Sequence, residues 1–374
     1  MNLETIFIIV FAIAIISWLC GFIFLFRIPL CCLTQVNNFQ KKVSIIIPAR
    51  NEEENIGILL DSINDNKIEN LEVIVLNDHS TDKTKEISLS KWAKVIDSEP
   101  LPKGWYGKPW ACYQGAKSAT GDLFIFLDSD TKIENDGLKK IVETYNLYCQ
   151  KYKNDIVMSI APYHKVEKFY EEFSGFFNII MMGSMKAFLP FKNSETIGLF
   201  GQALVLSKEN YFKIDGHKSV KDKILENMFM AEIFKSKNIK LKCFGGKNSL
   251  SFRMYKNGIG ELINGWAKAF ASGASQVSPL SLFNIILWIS SGFLIFISFI
   301  ISIINNIYIT ISLILYFAYS AQLFWMLYRI GSFKTYSAFL FPIHLCFYCL
   351  VFTKSLINKV FNKKVIWKSR EVTS

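Results

Sequence analysis

Long apolar runs without any charged residue lie at both ends of this chain. The first covers Thr5–Phe26, close to the ~20 residues that an α-helix needs to cross the hydrocarbon of a bilayer. The second extends from Ala269 to Tyr328 and is interrupted midway by Asn305-Asn306. Adjacent polar residues in so long a run favour a turn, so the pattern predicts two spans near 281–303 and 307–328.

A third apolar segment, Thr335–Thr353, contains Pro342. Basic residues follow the first run and an acidic residue precedes it, which predicts an uncleaved anchor with its N-terminus outside and the following chain in the cytoplasm. Four complete spans would then place the end of the chain outside, although residues 354–374 carry six Lys and Arg against one acid. We therefore expect Pro342 to break the segment into a re-entrant or interfacial hairpin that leaves the basic tail cytoplasmic.

Between the apolar ends, short β-branched runs alternate with helix-like stretches. Strands are predicted at 43–47, 73–76 and 123–127, and helices over 52–63 and from about Asp82. Apolar strands separated by helices are typical of a parallel sheet covered on both faces. The predicted fold class is α/β, a mostly parallel sheet with helices on both faces, plus one N-terminal and two to three C-terminal transmembrane helices. The expected domains are an anchor at 1–27, a cytoplasmic domain at 42–268, a membrane region at 279–356 and a basic tail at 357–374.

The composition supports this division. The chain is 51% hydrophobic and only 20% charged, with a mean hydropathy of +0.26, whereas charged residues make up ~25% of an ordinary globular protein. These values exclude disordered, collagenous and nucleic-acid-binding arm architectures. The net charge of +11 suits anionic lipid headgroups or phosphate-bearing substrates in a membrane protein. We expect a lipid bilayer and no nucleic acid among the partners.

Polar clusters follow the three predicted strands, at Pro48–Glu52, Asn77–Asp82 and Asp128–Asp130. Ligands of open α/β sheets bind at the carboxyl ends of the strands, so these clusters are the candidate site. An Asp-x-Asp turn offers hard oxygen ligands to Mg²⁺ or Mn²⁺, which keep waters and bridge to substrate phosphates. No G-x-G-x-x-G follows the first strand and the chain has no G-x-x-x-x-G-K-[ST], which disfavours a dinucleotide site and a P-loop nucleotidase.

In order and spacing, these clusters and Lys108 resemble the family 2 glycosyltransferases with the GT-A fold. The resemblance implies an inverting enzyme that uses a nucleotide-sugar donor and a divalent metal ion. It implies that Asp78 binds uracil and that Asp128 and Asp130 hold the metal and the diphosphate, Asp130 being counted as catalytic. Lys108 would add positive charge at the diphosphate, or else be a solvated surface lysine. The residues expected to bind the donor are Pro48, Arg50, Glu52, Asp78, Lys108 and Asp128.

Four further segments resemble the membrane-bound branch of these enzymes that acts on hydrophobic lipids. They are Gly104–Gly115, Phe252–Tyr255, Gly265–Lys268 and Ile366–Arg370. The whole chain is similar to the staphylococcal carotenoid glycosyltransferases of staphyloxanthin biosynthesis, which esterify glucose to diaponeurosporenoate, a carotenoid acid. This similarity implies a UDP-glucose donor and a membrane-embedded carotenoid acceptor. Ceramide- and hopanoid-type enzymes share the layout, so a hydroxyl lipid remains an alternative acceptor.

The sequence departs from the family at the expected general base. The family usually shows Glu-Asp before a helix, one carboxylate of which deprotonates the acceptor hydroxyl, whereas this chain has Glu226-Asn227. A carboxylic acid acceptor, with a pKa of about 4, is already ionised near neutral pH and needs no base. The departure is therefore tolerable for ester formation and awkward for an alcohol acceptor. Glu226 is the remaining catalytic carboxylate, although it could instead position the acceptor or cap the following helix.

On the acceptor side we single out Arg253, Tyr255 and Trp266. Arg253 suits an anionic group by bidentate hydrogen bonding, with a structural salt bridge as the alternative. Trp266 could stack on the sugar or lie in the membrane interface. The apolar run Phe173–Phe191 could lie at the interface and guide the acceptor, or form an ordinary core helix.

Two rival functions belong to different classes. A processive polysaccharide synthase usually has more spans and a Gln-x-x-Arg-Trp motif, which this chain lacks. A membrane-tethered lectin or scaffold would not need the intact Asp78, Asp128 and Asp130.

Overall fold

The computed structural model describes residues 3–34, 41–191, 196–223, 225–273, 277–360, 365–367 and 370–372. The chain divides into two compact units. The helical unit comprises Met1–Ile28, Lys165–Ser194 and Tyr255–Lys363, and the sheet unit comprises Pro29–His164, Glu195–Met254 and Lys364–Ser374. This division differs from the expected domain 42–268, because residues 165–194 and 255–268 group with the apolar helices.

The helices are α1 Leu3–Leu19, α2 Gly21–Phe24, α3 Ile56–Asp65, α4 Thr84–Ser90, α5 Gly107–Ser118, α6 Gly137–Tyr152, α7 Gly175–Ser184, α8 Lys208–Lys213, α9 Glu226–Ser236, α10 Ile259–Gly273, α11 Pro279–Asn305, α12 Ile309–Ile330, α13 Thr335–Phe339 and α14 Phe341–Val360. Two 3₁₀ helices cover Phe169–Ser174 and Gly216–Val220. The strands are β1 Val43–Ala49, β2 Leu71–Asn77, β3 Lys94–Asp97, β4 Leu123–Leu127, β5 Thr131–Ile133, β6 Ile156–Ala161, β7 Tyr163–His164, β8 Ala203–Ser207, β9 Lys240–Gly245, β10 Leu250–Phe252, β11 Val365–Trp367 and β12 Arg370–Val372.

The sheet unit is built on a seven-stranded sheet in the order β3-β2-β1-β4-β8-β6-β9. Adjacent strands are parallel except β8, which runs antiparallel to both β4 and β6. The predicted α/β fold with a mostly parallel sheet is confirmed. All three predicted strands are present, and the one predicted at 123–127 has those bounds.

Both faces of this sheet are covered. Ile45, Val75 and Ile125 point to one face and belong to a buried core with side chains of α3 and α6. On the other face, α5 lies so close that a Cβ on Gly115 would stand 2.5 Å from Ile46. Continuous apolar strands are what a sheet covered on both faces requires.

The helix predicted over 52–63 begins later, at Ile56, because backbone donors ahead of it are used by the neighbouring loop. The N–H of Glu52 donates to Thr84 Oγ1 at 2.7 Å, and the N–H of Glu53 donates to Asp82 Oδ2 at 3.0 Å. These bonds keep the segment after β1 in a turn that is tied to the turn after β2.

Among the residues that the structure describes, four helices of the helical unit are long and apolar enough to cross a membrane. They cover Glu4–Phe24, Pro279–Asn305, Ile309–Ile330 and Phe341–Asn358. Gln322 joins three of them: it accepts from Trp288 Nε1 at 2.9 Å and donates to the carbonyl of Trp18 at 3.0 Å. Polar side chains inside a membrane bundle commonly serve as interhelical hydrogen bonds. The break expected at Asn305-Asn306 is present, with Asn306 in the left-handed region at φ 54°.

The hairpin expected at Pro342 is not formed. The third segment is broken at Leu340, and α14 then runs without interruption from Phe341 to Val360. Pro342 occupies the first turn of that helix, where a missing N–H removes no intrahelical bond. Much of the basic tail lies outside the described residues, so its cytoplasmic side remains a prediction.

Candidate active site

The loops that follow β1 and β2 are bound to each other at one edge of the sheet. Arg50 Nη1 donates to the carbonyl of Asp78 at 2.8 Å, and the N–H of Asp78 donates to the carbonyl of Ala49 at 2.8 Å. The side chain of Asp78 is buried. Arg50 therefore braces the two loops, and the residues expected to bind the nucleotide lie together where the strands end.

The sheet opens between β1 and β4 at the same edge. β1 pairs with β4 only as far as Ile46 and Phe126, whereas its pairing with β2 continues to Ala49. Pro48, which has no N–H, is tolerated because it lies beyond the β4 ladder. The chain passes from β1 to β2 and β3 on one side and then crosses back to β4 on the other side of β1. This crevice is therefore the switch point at which open α/β sheets bind ligands.

Lys108 lies at the centre of a cluster of charges in this crevice. Its Nζ is 2.5 Å from Asp128 Oδ1 and 3.6 Å from Glu226 Oε1, and it donates to the carbonyl of Gly201 at 3.2 Å. Asn227 Nδ2 donates to Glu226 Oε1 at 2.9 Å. The first turns of α5 and α9 and the end of β4 thus bring together three residues that the sequence singled out. Lys108 is therefore a partly buried, ion-paired member of this cluster and not a solvated surface lysine.

The charges and the burial of this cluster shift the pKa values of Lys108 and Glu226. Burial alone would lower the pKa of Lys108, but the carboxylates of Asp128 and Glu226 outweigh burial and raise that pKa. Burial raises the pKa of Glu226, and the positive charge of Lys108 offsets part of this effect. The ammonium group is therefore held charged between two carboxyl groups, one of which is easier to protonate than an ordinary glutamate.

A pocket beside this cluster contains residues that the sequence did not reveal. Its lining includes Pro48, Lys108, Cys112, Phe126, Leu127, Asp128, Gly201, Leu204, His217 and Asn227. Gly201 admits the Asn227 amide, because a Cβ at position 201 would lie 2.5 Å from Asn227 Nδ2. His217 follows an Asp-Gly pair, a turn signal in the sequence, but nothing in that signal indicates which way the imidazole faces.

A second, three-stranded sheet places Arg253 near the Asp128-Ser129-Asp130 turn. β10 pairs antiparallel with β5, with Phe252 opposite Thr131. The residue after Phe252 and the residue before Thr131 therefore occupy facing ends of this ladder, which brings Arg253 and Asp130 to the same region of the sheet unit.

The oxygen donors fit a loosely held divalent cation. Among the described residues, no group of three or more His, Cys, Asp or Glu side chains could hold a metal ion. Asp128 and Asp130 are both partly exposed and supply carboxylate oxygens only. Mg²⁺ is commonly bound by one or two carboxylates together with waters and substrate phosphates. The donor set suits such an ion and does not suit a structural zinc site.

Tyr255 and Trp266 belong to the helical unit. Trp266 is 2% exposed, its Nε1 donates to Ser174 Oγ at 3.1 Å, and its ring stacks on Phe177 with centroids 5.0 Å apart. Tyr255 packs edge-on against it at 5.8 Å. Trp266 is therefore a core residue of this unit. The sequence had suggested an exposed ring that stacks on the sugar or lies in the membrane interface, and the structure does not show this.

The run Phe173–Phe191 is also mainly a packing segment. It contains α7, whose Phe176, Phe177, Ile179 and Met182 are buried. Phe176 lies 5.5 Å from Trp288 of α11, measured between ring centroids. Of the two interpretations of this run, the structure favours the core helix over a surface that guides the acceptor.

Comparison with known proteins agrees with this architecture. The sequence profile of glycosyl transferase family 2 matches residues 44–229. The 4,4'-diaponeurosporenoate glycosyltransferase of Staphylococcus aureus strain N315 is 32% identical over 343 residues, which cover 90% of each chain. The protein of strain USA300 with the same name is 32% identical over 340 residues, 90% of this chain and 89% of that one.

The fold recurs in a solved structure. A mannosyltransferase from Pyrobaculum calidifontis, in complex with GDP-Man and Mn²⁺, is 16% identical and superposes with a TM-score of 0.52 over 97% of this chain and 100% of that chain. The strand-end site, the profile match and the relatives that align over nine-tenths of the chain lead to one conclusion: this protein belongs to glycosyl transferase family 2 and is a nucleotide-sugar-dependent glycosyltransferase.

Proposed function

We propose that this enzyme moves glucose from UDP-glucose, with inversion, to the carboxyl group of a carotenoid acid held in the bilayer. The names of the staphylococcal relatives support the acceptor. The four apolar helices support a membrane location for a hydrophobic substrate. The products would be a glucosyl ester and UDP, formed when a carboxylate oxygen bonds to C1 of glucose and the bond from C1 to the diphosphate breaks.

The donor would occupy the crevice between β1 and β4. Asp78, held between the loops by Arg50 and Ala49, would receive the uracil, while Pro48 and Glu52 would line the nucleotide pocket. Lys108 already carries its charge at this edge and would face the diphosphate. Because negative charge grows on the leaving phosphate, a fixed cation there stabilises the transition state more than the ground state.

Mg²⁺ or Mn²⁺ would be held by Asp128 and Asp130 together with donor oxygens. When bound, such an ion neutralises charge on the leaving diphosphate. The residues of the chain keep these two carboxylates in place: the Asp128-Ser129-Asp130 turn follows directly on β4, and β5 begins at the next residue.

One observation carries the choice of an acid acceptor. Position 227 holds an amide that donates to Glu226, and Glu226 also faces Lys108 at 3.6 Å. An amide cannot take a proton from an acceptor hydroxyl, and the one carboxyl beside it is already engaged by two donors. A carboxylate acceptor, with a pKa near ~4, arrives ionised and requires no base. Arg253, at the end of β10, would meet this anion.

The Glu226→Gln variant tests the role of the carboxyl group. With the acid acceptor, transfer should fall by less than about tenfold, far less than the roughly 10²–10⁴-fold that loss of a general base costs. Asn227→Asp is the matched variant, because it adds a carboxylate at the neighbouring position and should not improve transfer to the acid. Elimination of transfer to the acid by Glu226→Gln would contradict the proposal.

A hydroxyl-lipid acceptor is the second candidate, and a specific observation favours it. Burial raises the pKa of Glu226, and a raised carboxyl pKa is what a general base working near neutral pH needs. In that case transfer by Glu226→Gln would fall by the roughly 10²–10⁴-fold that loss of a general base costs, and an alcohol would be the better acceptor.

A cytoplasmic position of the sheet unit completes the proposal. The basic residues after the first apolar run favour that side. Anionic headgroups would hold the basic tail at about 1 kcal/mol per charge near the surface.

A further inference from the structure

His217 is a buried histidine that lines the pocket beside Lys108. Its residue surface is 2% exposed, and the pocket that it shares with Lys108, Asp128 and Asn227 lies in the sheet unit. None of the donor-binding roles implied by the family resemblance involves this side chain. The imidazole therefore has a place in the site without an assigned task.

The hydrogen bonds of Tyr211 determine which nitrogen of His217 carries the proton. The backbone N–H of His217 donates to Tyr211 Oη at 3.1 Å, and the same oxygen lies 3.0 Å from His217 Nδ1. Among the described residues, the hydroxyl has no other hydrogen-bond partner, so its own proton is directed at Nδ1. A neutral imidazole that accepts at Nδ1 carries its proton on Nε2.

Packing holds this arrangement in one conformation. The Tyr211 ring is fully buried and stacks on Phe126 at 5.3 Å. Asp215 and Gly216 both have positive φ, 59° and 51°, and a Cβ on Gly216 would stand 2.2 Å from the Tyr211 ring. Glycine is thus required where the chain turns back beneath the tyrosine.

The environment keeps the imidazole neutral. Burial, together with the nearby charge of Lys108, lowers the pKa of His217 to about 3. The Nε2–H is consequently a hydrogen-bond donor throughout the neutral range. No hydrogen bond to Nε2 occurs among the described residues, and Nε2 lies on the side of the ring that faces away from Nδ1 and its tyrosine partner.

We infer that His217 Nε2–H donates a hydrogen bond to one hydroxyl group of the transferred sugar and so contributes to donor specificity, with Tyr211 as the positioning residue. The inference rests on the proposed function, since it takes the pocket to receive the sugar of the donor.

The groups around His217 favour a sugar hydroxyl as the partner of Nε2–H. In the proposed function the diphosphate lies against the Lys108 ammonium, whereas the carbonyl of Gly201 and the Asn227 amide oxygen, which line the same pocket, accept hydrogen bonds. A hydroxyl beside His217 can accept from Nε2–H and donate to such an oxygen, whereas a phosphate oxygen can only accept. Sites that hydrogen-bond a substrate hydroxyl strongly reject analogues that lack it.

A double-mutant cycle tests the inference, with a protein substitution as one change and removal of a sugar hydroxyl from the donor as the other. The full-length enzyme and the His217→Leu variant are assayed with UDP-glucose and with its 2-, 3-, 4- and 6-deoxy analogues. In the unmodified enzyme, one analogue should lose about tenfold or more in kcat/KM, the upper range for one neutral hydrogen bond. In His217→Leu the penalty for that same analogue should shrink to less than about twofold, while the other three penalties stay unchanged.

Two further variants separate hydrogen bonding from packing. His217→Gln keeps a side-chain N–H donor and should restore part of the penalty for the same analogue. Tyr211→Phe keeps the ring on Phe126 but removes the hydroxyl that donates to His217 Nδ1, so the imidazole is no longer held in the tautomer protonated at Nε2. The penalty for the same analogue should then fall although the fold is retained. A purely structural role would lower activity with every donor and leave the ratios between donors unchanged.

Equal penalties for all four analogues in the unmodified enzyme and in every variant would overturn the inference. The outcome is distinct from failure of the proposed function, which would appear as no transfer from UDP-glucose to any lipid acid. The cycle would then use deoxy analogues of whichever nucleotide-sugar the enzyme consumes. The ratios of kcat/KM between that donor and its analogues would test the role of His217 in the same way.

Discussion

Replacing Lys108 by Met should convert a balanced cluster into one with two uncompensated carboxyl groups. At an effective dielectric of about 20, the separations of 2.5 Å and 3.6 Å correspond to roughly 7 and 5 kcal/mol of gross attraction. Desolvation offsets most of this. Removing one partner of a buried pair costs about 3–5 kcal/mol, and we expect about 3 kcal/mol, because a quarter of the Lys108 side chain is exposed.

The loss should depend on pH in a defined direction. Burial already raises the pKa of Glu226, and without Lys108 that pKa rises further. A carboxyl group whose pKa is raised by folding favours the folded state below its unfolded pKa, and this contribution is lost as the pH rises through the folded pKa. Lys108, whose pKa is raised, contributes stability that is fully present below its ordinary pKa. The deficit of Lys108→Met should therefore be smallest near about pH 4.5 and grow towards about pH 8.

Thermal unfolding of the detergent-purified full chain at several pH values measures this deficit. The double variant Lys108→Met/Glu226→Gln is the matched control, since it removes one of the two uncompensated charges and should regain part of the lost stability at about pH 8 without regaining activity. A deficit that is constant with pH, or a double variant no more stable than Lys108→Met, would refute the electrostatic reasoning. Transfer should fall by roughly 10²–10³-fold in both variants, as for other losses of a preorganised charge partner.

Three further predictions concern other parts of the chain. Asp130→Ala should abolish transfer at any Mg²⁺ or Mn²⁺ concentration while the protein still inserts and folds; full activity in mutant membranes would show that the metal is held elsewhere. Gly201→Ala should displace the Asn227 amide, which lies 2.5 Å from the new Cβ, and lower kcat/KM several-fold with little change in the unfolding midpoint, a result checked by parallel kinetics and melting. A reporter fused after Ser374 should be active only as a cytoplasmic fusion, because six basic residues resist export; activity of an exported-type reporter would place the tail outside.

The parts of the fold that follow from local patterns were predictable. The strand at 123–127 is a continuous apolar run bounded by Asp122 and Asp128, and continuous burial requires such a run. Lys108, Asp128 and Glu226 were singled out by family resemblance, and the structure brings them together around one ammonium group.

The errors and omissions have non-local causes. Trp266 has the polar edge and apolar body of an interfacial residue, but a segment far away in the sequence supplies Phe177 and Ser174 to bury it. Proline breaks a helix only where at least one full turn precedes it. Here the helix begins at Phe341, so Pro342 lies in its first turn. The Asp-Gly pair before His217 signals a turn, but the contacts that hold His217 in place come from Tyr211, whose ring stacks on Phe126, and no sequence pattern specifies them.

The most direct measurement compares two acceptors that differ only at the reacting group. Purified full-length enzyme with UDP-glucose is offered 4,4'-diaponeurosporenoate and, separately, the corresponding alcohol, and the glucosyl product of each is quantified. Ester formation with the acid should be faster than transfer to the alcohol, because the alcohol must lose a proton and Asn227 cannot accept it. The difference should approach the roughly 10²–10⁴-fold that a general base supplies. Faster transfer to the alcohol would contradict the account and identify a hydroxyl lipid as the acceptor.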